Sequence, residues 1–240
     1  MKALLLAAGL GTRLKPFTDN HPKALAPVNG VSLLEYNIRN LQRFGIFDIV
    51  VNVHHFAGQI VDLLNAEKGF GSRVSISDET AAVLETGGGL QKAAPLLEGA
   101  DNILVMNVDI LSNFDLKEML AQHLQQQPLA TLAVQQRSSS RYFLFNGAQQ
   151  LTGWENVQTG AQRPEYIPNK PALQQMAFSG IQLLHTSIFD KIQFSGKFSL
   201  VDVYLDLCAS EKIIAWNHTG DLLLDVGKPE SLAQAAGLFV

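Results

Sequence analysis

The first thirteen residues constrain the fold more than any other part of the chain. An uninterrupted apolar run over residues 4–8 leads into two glycines, Gly9 and Gly11, and then into Arg13. A run that is apolar on both faces is typical of a strand buried in the middle of a parallel sheet. Glycines after such a strand let backbone N–H groups approach an anion closely. The segment therefore predicts a buried strand that ends in a phosphate-binding loop.

Apolar runs alternate with segments of helical spacing through the first half of the chain. This alternation is typical of an α/β protein with a mainly parallel sheet. It predicts strands over residues 3–8, 48–53, 74–77 and 103–106, and helices over residues 33–44, 58–65 and 115–125. The fold class that follows is a Rossmann-like three-layer α/β/α arrangement around a mixed, mainly parallel central sheet.

The pattern changes after Pro128, where short apolar pieces are separated by polar turns. We predict strands over residues 129–134, 142–145, 151–154, 176–184, 213–216 and 222–224, helices over 198–208 and 229–237, and a long surface loop over 156–170. No linker divides the chain, so we predict one domain over residues 1–240. Its first half, about 1–110, carries the phosphate-binding loop, and an inserted sheet in the second half, about 111–240, shapes another pocket.

Composition and charge exclude several classes of protein. The net charge of −4 argues against general nucleic-acid binding, which needs a basic face. No stretch approaches the roughly 18 apolar residues of a membrane span. The single Cys208 excludes an internal disulfide and favours a reducing, cytoplasmic setting. The sequence predicts no particular oligomeric state.

The glycine segment differs from two common phosphate-binding loops. The dinucleotide loop G-x-G-x-x-G needs a glycine at position 14, where Leu14 stands. The P-loop needs a lysine and a serine or threonine directly after its last glycine, and none follows in that register. The chain instead has Gly-x-Gly followed by Thr12 and Arg13, with Lys23 ten residues later.

The run from Leu6 to Val28 resembles the signature of the sugar nucleotidyltransferases, or nucleoside-diphosphate-sugar pyrophosphorylases. Their opening reads approximately L-A-A-G-x-G-T-R-L-x-P-x-T and then P-K-x-L-x-P-V, as the present sequence does. Further segments are similar to the family's base-contacting loop, metal-binding strand end, sugar-side strand and late D-x-G motif. They are Glu85-Thr86-Gly87-Gly88-Gly89, Asn107-Val108-Asp109, Phe178-Ser179-Gly180 and Asp225-Val226-Gly227. The chain length and the first of these segments resemble the short uridylyltransferases that activate N-acetylmuramic acid 1-phosphate.

This resemblance implies an enzyme that joins a nucleotidyl group of an NTP, UTP in the subgroup, to a sugar 1-phosphate and releases pyrophosphate. It implies Mg²⁺ as the cofactor, held by Asp109 and Asp225, with Arg13 and Lys23 as catalytic residues. The implied nucleotide-binding residues are Leu6, Ala7, Ala8, Gly9, Gly11, Thr12, Arg13, Lys23, Glu85, Thr86, Gly87 and Gly88. The implied sugar-binding residues are Asn107, Asn156 and Gly180. The two halves of the predicted domain then bind nucleotide and sugar.

Other interpretations stay open at this point. The chain could be a cytidylyl- or guanylyltransferase for phosphocholine, heptose or mannose phosphate, or a regulatory module that binds nucleotide sugars without turnover. Gly87–Gly89 could be a hinge, and Asp221 is a nearby rival of Asp225. The family's sugar-contacting Glu-Lys pair is replaced by Trp154-Glu155-Asn156, and Val108 stands where a glycine is common.

Overall fold

The computed structural model describes residues 1–239, so Val240, the last residue of the predicted domain, lies outside the described residues. Six α-helices occur in this part of the chain: α1 (Leu33–Arg43), α2 (Ala57–Ala66), α3 (Glu85–Leu97), α4 (Leu116–Gln126), α5 (Leu200–Leu207) and α6 (Pro229–Leu238). The strands are β1 (Lys2–Leu6), β2 (Pro27–Val28), β3 (Val31–Ser32), β4 (Asp48–Val53), β5 (Arg73–Asp78), β6 (Asn102–Asn107), β7 (Ile110–Ser112), β8 (Ala130–Gln135), β9 (Arg141–Phe145), β10 (Leu151–Asn156), β11 (Gln162–Arg163), β12 (Gln174–His185), β13 (Ile213–Asn217) and β14 (Leu223–Asp225).

One ten-stranded sheet runs through the described residues. Its main path is β11-β10-β9-β12-β6-β1-β4-β5, and β8 and β13 continue from β12. The strands β6, β1, β4 and β5 are parallel to one another, whereas β12 is antiparallel to β6. The sheet is therefore mixed, and the parallel part carries the N-terminal glycine segment.

The central strand β1 is buried on both faces. Leu4 packs in a core with α3 and α5, while Ala3 and Leu5 pack in a second core with α1, α2 and α4. Successive side chains of a strand point to opposite faces, so an apolar run of this kind needs cover on both sides. Helices therefore flank both faces of the sheet, and the predicted three-layer arrangement follows from the packing.

Side-chain caps begin several of the helices. The Ser32 hydroxyl accepts a hydrogen bond from Glu35 N at the start of α1, and Asp115 accepts one from Lys117 N at the start of α4. Ser199 and Asp202 form a reciprocal capping box on α5. Such caps satisfy N–H groups that have no partner within the helix.

Two predictions of the sequence are wrong. Gly87–Gly89 were predicted as a loop, but they lie in the first turns of α3, because packing overrides the poor helix propensity of glycine. Residues 156–170 were predicted as one long surface loop, but Gln162–Arg163 form β11, which pairs with β10. The strands of the second half pair with one another as an inserted sheet, and β12 joins them to the sheet of the first half. No helix of residues 1–239 has the length and apolar character that crossing a membrane requires.

Candidate active site

A cleft of about 450 Å³ opens at the carboxyl ends of β1 and β6. Ligands of open α/β sheets bind at this edge, because loops leave the sheet there in opposite directions. Most of the residues that the sequence assigns to nucleotide, metal or sugar line the cleft. They are Leu6, Ala7, Ala8, Gly9, Gly11, Thr12, Arg13, Lys23, Glu85, Thr86, Asn107 and Asp109.

The glycine loop is held by its contacts with the segment that follows it. Gly11 has a φ of 63°, and a Cβ there would lie 2.9 Å from Thr18 Cγ2 and 3.0 Å from Lys23 Cβ. The Thr18 hydroxyl donates a hydrogen bond of 2.9 Å to Gly11 O. Only glycine combines this backbone conformation with this close packing. The loop and Lys23 are thus brought to the same wall of the cleft.

Asp109 and Asp225 are brought together by backbone pairing. Strand β14 pairs with β7 so that Asp225 lies opposite Ile110, and Val226 N donates to Asp109 O at 2.8 Å. Burial raises the pKa of the Asp225 carboxyl, and the neighbouring Asp109 carboxylate raises it further. Asp225 is not among the residues that line the cleft, but this pairing places its carboxyl next to that of Asp109, which is.

Two cations face these carboxylates. Lys23 forms an ion pair with Asp109, and both side chains are largely buried. Arg13 Nη2 lies 3.7 Å from Asp225 Oδ2, with both side chains about half exposed. A Cβ at Gly227 would lie 2.8 Å from Arg13 Nη2, so glycine leaves room for the guanidinium. The site thus alternates positive and negative groups where a triphosphate and a cation could be held together.

The donor set fits a magnesium ion. Mg²⁺ prefers carboxylate, phosphate and water oxygens, and is commonly bound by one or two carboxylates plus substrate phosphates. Asp109 and Asp225 supply two such carboxylates, whose mutual repulsion a divalent cation would relieve. Within residues 1–239, no group of three or more His, Cys, Asp or Glu side chains could hold a metal. Any ion here would therefore need oxygen atoms from substrate or water.

Sequence reasoning missed Asn52 and Glu79, which also line the cleft. Asn52 Oδ1 accepts hydrogen bonds from Ala7 N at 2.5 Å and from Ala8 N at 3.2 Å. Asn52 Nδ2 donates to Glu79 Oε1 at 2.7 Å, and Glu79 is fully buried. The available signal was an asparagine inside an apolar strand, since a buried amide needs partners.

The segment that starts α3 contributes only partly to the cleft. Glu85 and Thr86 line it, but Gly87 and Gly88 do not. The N–H groups of these two glycines donate to Phe198 O at 2.9 and 3.2 Å. A Cβ at Gly87 would overlap the Phe198 ring, and one at Gly88 would overlap Gly196 O. Both glycines therefore allow α3 to pack closely against the segment before α5, and neither faces the cleft.

Of the three residues predicted to bind the sugar, two lie at or beside the cleft and one does not. Asn107 lines the cleft, and Gly180 lies beside it, since a Cβ at Gly180 would be 2.9 Å from Asn107 Nδ2. Asn156 is the last residue of β10, and its Oδ1 accepts from Gln158 N at 3.0 Å and Thr159 N at 3.3 Å in the turn that follows. Asn156 is not among the residues that line the cleft, because its side chain stabilises the turn instead.

The rival Asp221 has another contact, since its Oδ2 lies 3.8 Å from His218 Nδ1. Asp225 lies opposite Ile110 in the strand pairing and is therefore next to Asp109, which lines the cleft.

Comparison with known proteins agrees with this geometry. The profile of the nucleotidyl transferase family matches residues 2–238. The N-acetylmuramate α-1-phosphate uridylyltransferase of Neisseria meningitidis serogroup B is 30% identical over 239 residues, which cover 99% of this chain and 98% of the relative. A mannose-1-phosphate guanylyltransferase catalytic subunit beta of Dictyostelium discoideum is 27% identical over 246 residues, but this chain covers 65% of its length.

Solved structures share the fold. HddC from Yersinia pseudotuberculosis, complexed with GMP-PN, superposes with a TM-score of 0.78 at 22% identity and covers 100% of this chain and 99% of that one. UDP-glucose pyrophosphorylase from Acinetobacter baumanii gives a TM-score of 0.78 at 19% identity, covering 98% of this chain and 91% of that one. The predicted fold class is confirmed. Because the family profile spans nearly the whole chain, the resemblance found in its first 28 residues holds throughout, and the chain belongs to the nucleotidyl transferase family.

Proposed function

We propose that this protein transfers a uridylyl group from UTP to a sugar 1-phosphate, with N-acetylmuramate 1-phosphate as the first candidate acceptor. The observation that carries this proposal is the meeting of the glycine loop, Lys23, Asp109 and Asp225 at one edge of the sheet. The 30% identity to a uridylyltransferase over nearly the full length of both chains supports the choice of base and acceptor.

The reaction needs no covalent enzyme intermediate. An oxygen of the sugar 1-phosphate attacks the α-phosphorus in line, the new P–O bond forms, and the bond from the α-phosphorus to the bridging oxygen breaks. Pyrophosphate leaves with the electron pair of that bond. The protein contributes positioning and charge neutralisation.

The residues of the loop take the role of holding the triphosphate. Within residues 1–239, the N–H groups of Gly9, Gly11 and Thr12 have no hydrogen-bond acceptor, so they can donate to phosphate oxygens. Arg13 offers a planar fork that matches the oxygens of the leaving pyrophosphate. Lys23, which pairs with Asp109, would place its positive charge near the α-phosphate and the acceptor phosphate.

Asp109 and Asp225 are proposed to hold Mg²⁺. The ion, when bound, would neutralise phosphate charge and polarise the α-phosphoryl group. Glu85 and Thr86 are proposed to border the base and ribose, and Asn107 with Gly180 to border the sugar. In this proposal one domain has a nucleotide-binding half at about 1–110 and a sugar-binding half at about 111–240. Its single cysteine suits the reducing cytoplasm.

Release of pyrophosphate tests the proposal directly. The purified protein would be assayed with each of four NTPs against a panel of sugar 1-phosphates in the presence of Mg²⁺. We expect the highest kcat/KM for UTP with N-acetylmuramate 1-phosphate. Preference for GTP with mannose 1-phosphate, or for CTP with phosphocholine or a heptose phosphate, would replace the uridylyl proposal. Absence of turnover with every pair would favour a regulatory nucleotide-sugar-binding module.

A further inference from the structure

A second cavity of about 900 Å³ lies beside β9 and the first residues of β12. Polar side chains from four separate segments line it: Arg137, Tyr142, Glu155, Lys170, Gln174 and Gln175. The cavity belongs to the second half of the chain and shares no lining residue with the cleft at the glycine loop. None of the residues that the sequence resemblance assigns to the sugar lies in it.

One wall of this cavity is fixed by a buried carboxylate. Glu155 is 7% exposed, and its two oxygens are both engaged. Lys170 Nζ lies 2.6 Å from Oε2, and Gln175 Nε2 donates to Oε1 at 2.5 Å. Glu155 thus neutralises Lys170 and orients Gln175. The lining contains two cations and this one carboxylate, so its net charge is positive.

Arg137 supplies the uncompensated charge. It is exposed, and its Nη2 donates to Phe178 O at 3.0 Å. No carboxylate of residues 1–239 lies within ion-pair distance of it. A guanidinium has five N–H donors, so one bond to a carbonyl leaves most of them open. Such a planar fork matches a carboxylate or a phosphate.

Arg137 is connected to the cleft through β12. It lines the cavity, and its Nη2 donates to the carbonyl oxygen of Phe178 on that strand. Gly180, two residues after Phe178, lies beside Asn107, which lines the cleft. An acceptor bound beside Asn107 can therefore extend its sugar towards Arg137.

We propose that the acceptor is a sugar 1-phosphate that carries a carboxylate on the sugar, and that Arg137 binds this carboxylate. The inference rests on the proposed function. In N-acetylmuramate 1-phosphate the carboxylate belongs to the lactyl ether, which N-acetylglucosamine 1-phosphate lacks. Arg137 is thus a specificity-determining residue, and the cavity behind it accommodates the substituent.

The two sugars provide the test, because they differ only in the lactyl group. Steady-state kinetics would be measured for wild type, Arg137→Gln, Arg137→Lys and the control Arg43→Gln, which removes an exposed arginine of α1. We expect Arg137→Gln to raise KM for N-acetylmuramate 1-phosphate about 10- to 100-fold, as loss of a charge-assisted contact does. Its KM for N-acetylglucosamine 1-phosphate should be unchanged. Arg137→Lys should fall between wild type and Arg137→Gln, because a lysine keeps the charge without the fork.

Three outcomes overturn the inference while leaving nucleotidyl transfer intact. Wild type could turn over both sugars equally, it could use only neutral sugars, or Arg137→Gln could weaken both sugars equally. The last result would place Arg137 at the phosphate that both share. If wild type turns over no pair at all, the proposed function fails. NMR titration with N-acetylmuramate and N-acetylglucosamine then tests by itself whether Arg137 binds the carboxylate. Selective binding of the acid that Arg137→Gln abolishes would support the inference, and equal binding would overturn it.

Discussion

Asn52 Nδ2 donates to Glu79 Oε1 at 2.7 Å inside the protein, and this bond fixes which way the Asn52 amide points. Its carbonyl oxygen is thereby turned towards the N–H groups of Ala7 and Ala8, at the end of β1. The glycine loop leaves the sheet directly after these residues. The pair therefore sets the path of the loop without belonging to it.

Replacement of Asn52 by leucine tests this role. Asn52→Leu keeps the branched shape of the side chain but leaves two buried N–H groups and one Glu79 oxygen without partners. Each unsatisfied group costs about 1–3 kcal/mol, so we expect the free energy of unfolding to fall by at least about 3 kcal/mol. KM for the NTP should rise because the loop loses its anchor. Urea denaturation and kinetics would measure both effects.

Asn65→Leu is the matched control, because Asn65 is exposed on α2. Its free energy of unfolding and KM should stay close to wild type. If Asn52→Leu behaved like Asn65→Leu, the hydrogen bonds of Asn52 would not hold the loop.

The glycines of α3 give a second prediction. Gly87→Ala and Gly88→Ala each place a methyl group against Phe198 or Gly196 O, so we expect a loss of about 1–3 kcal/mol from overpacking. Gly58→Ala in α2 meets no atom within 4 Å and should be neutral or stabilising by up to about 1 kcal/mol. Urea denaturation of the three variants compares them. A stabilised Gly88→Ala would contradict the packing seen at the start of α3.

Asp109→Asn should remove activity while the protein stays folded. The amide lacks the negative charge that pairs with Lys23 and would bind a metal ion. We therefore expect kcat to fall at least about 100-fold. The far-ultraviolet circular dichroism spectrum should be unchanged. Asp62→Asn, on the exposed side of α2, is the control for loss of one carboxylate. Full activity of Asp109→Asn would remove the basis for the metal assignment.

Two buried histidines make the stability depend on pH. Burial lowers the pKa of His123 and of His218 from 6.5 to about 4. Between these values the unfolded chain binds protons that the folded protein does not bind. The free energy of unfolding is therefore at its full value above about pH 6.5 and falls as the pH drops towards 4, by up to about 3 kcal/mol for each histidine.

Urea denaturation between pH 4.5 and 7.5 measures this slope. His123→Gln should be less stable at neutral pH, because it alters the bonds to Thr131 and Asn102. Its stability should nevertheless change less with pH than that of wild type. His55→Gln, at an exposed position, controls for the loss of a histidine. Equal slopes in His123→Gln and wild type would show that His123 does not contribute.

The longer strands, most helices and the glycine loop could be predicted because their signals are local. Residues 48–53 form a strand as predicted, and Asp115 caps its helix, since each depends on neighbours in the sequence. Asp109 and Asp225 could be singled out through the family resemblance, and each also follows an apolar run. That they share one edge depends on the pairing of β7 with β14, which no local pattern reveals.

Most of what the sequence did not predict depends on contacts between distant segments. Glu79 meets Asn52 across two strands, 27 residues away in the chain. Gly87 belongs to a helix because Phe198 occupies the space beside it, and a run of three glycines otherwise favours a loop. Asn156 was assigned to the sugar from its neighbours in sequence, yet the turn after β10 uses its side chain. Contacts with distant residues therefore decided the first two cases, and a local turn decided the third.

The twelve-residue strand β12 pairs with β6 through Ile181–His185 and with β9 through Gln174–Met176. A rotation of one half against the other would break these backbone hydrogen bonds, and within residues 1–239 one sheet joins the two halves. We expect substrate enclosure to come from loops at the sheet edge. A single strand thus ties the cleft side of the sheet to the strands around the second cavity, so the two regions share one rigid backbone.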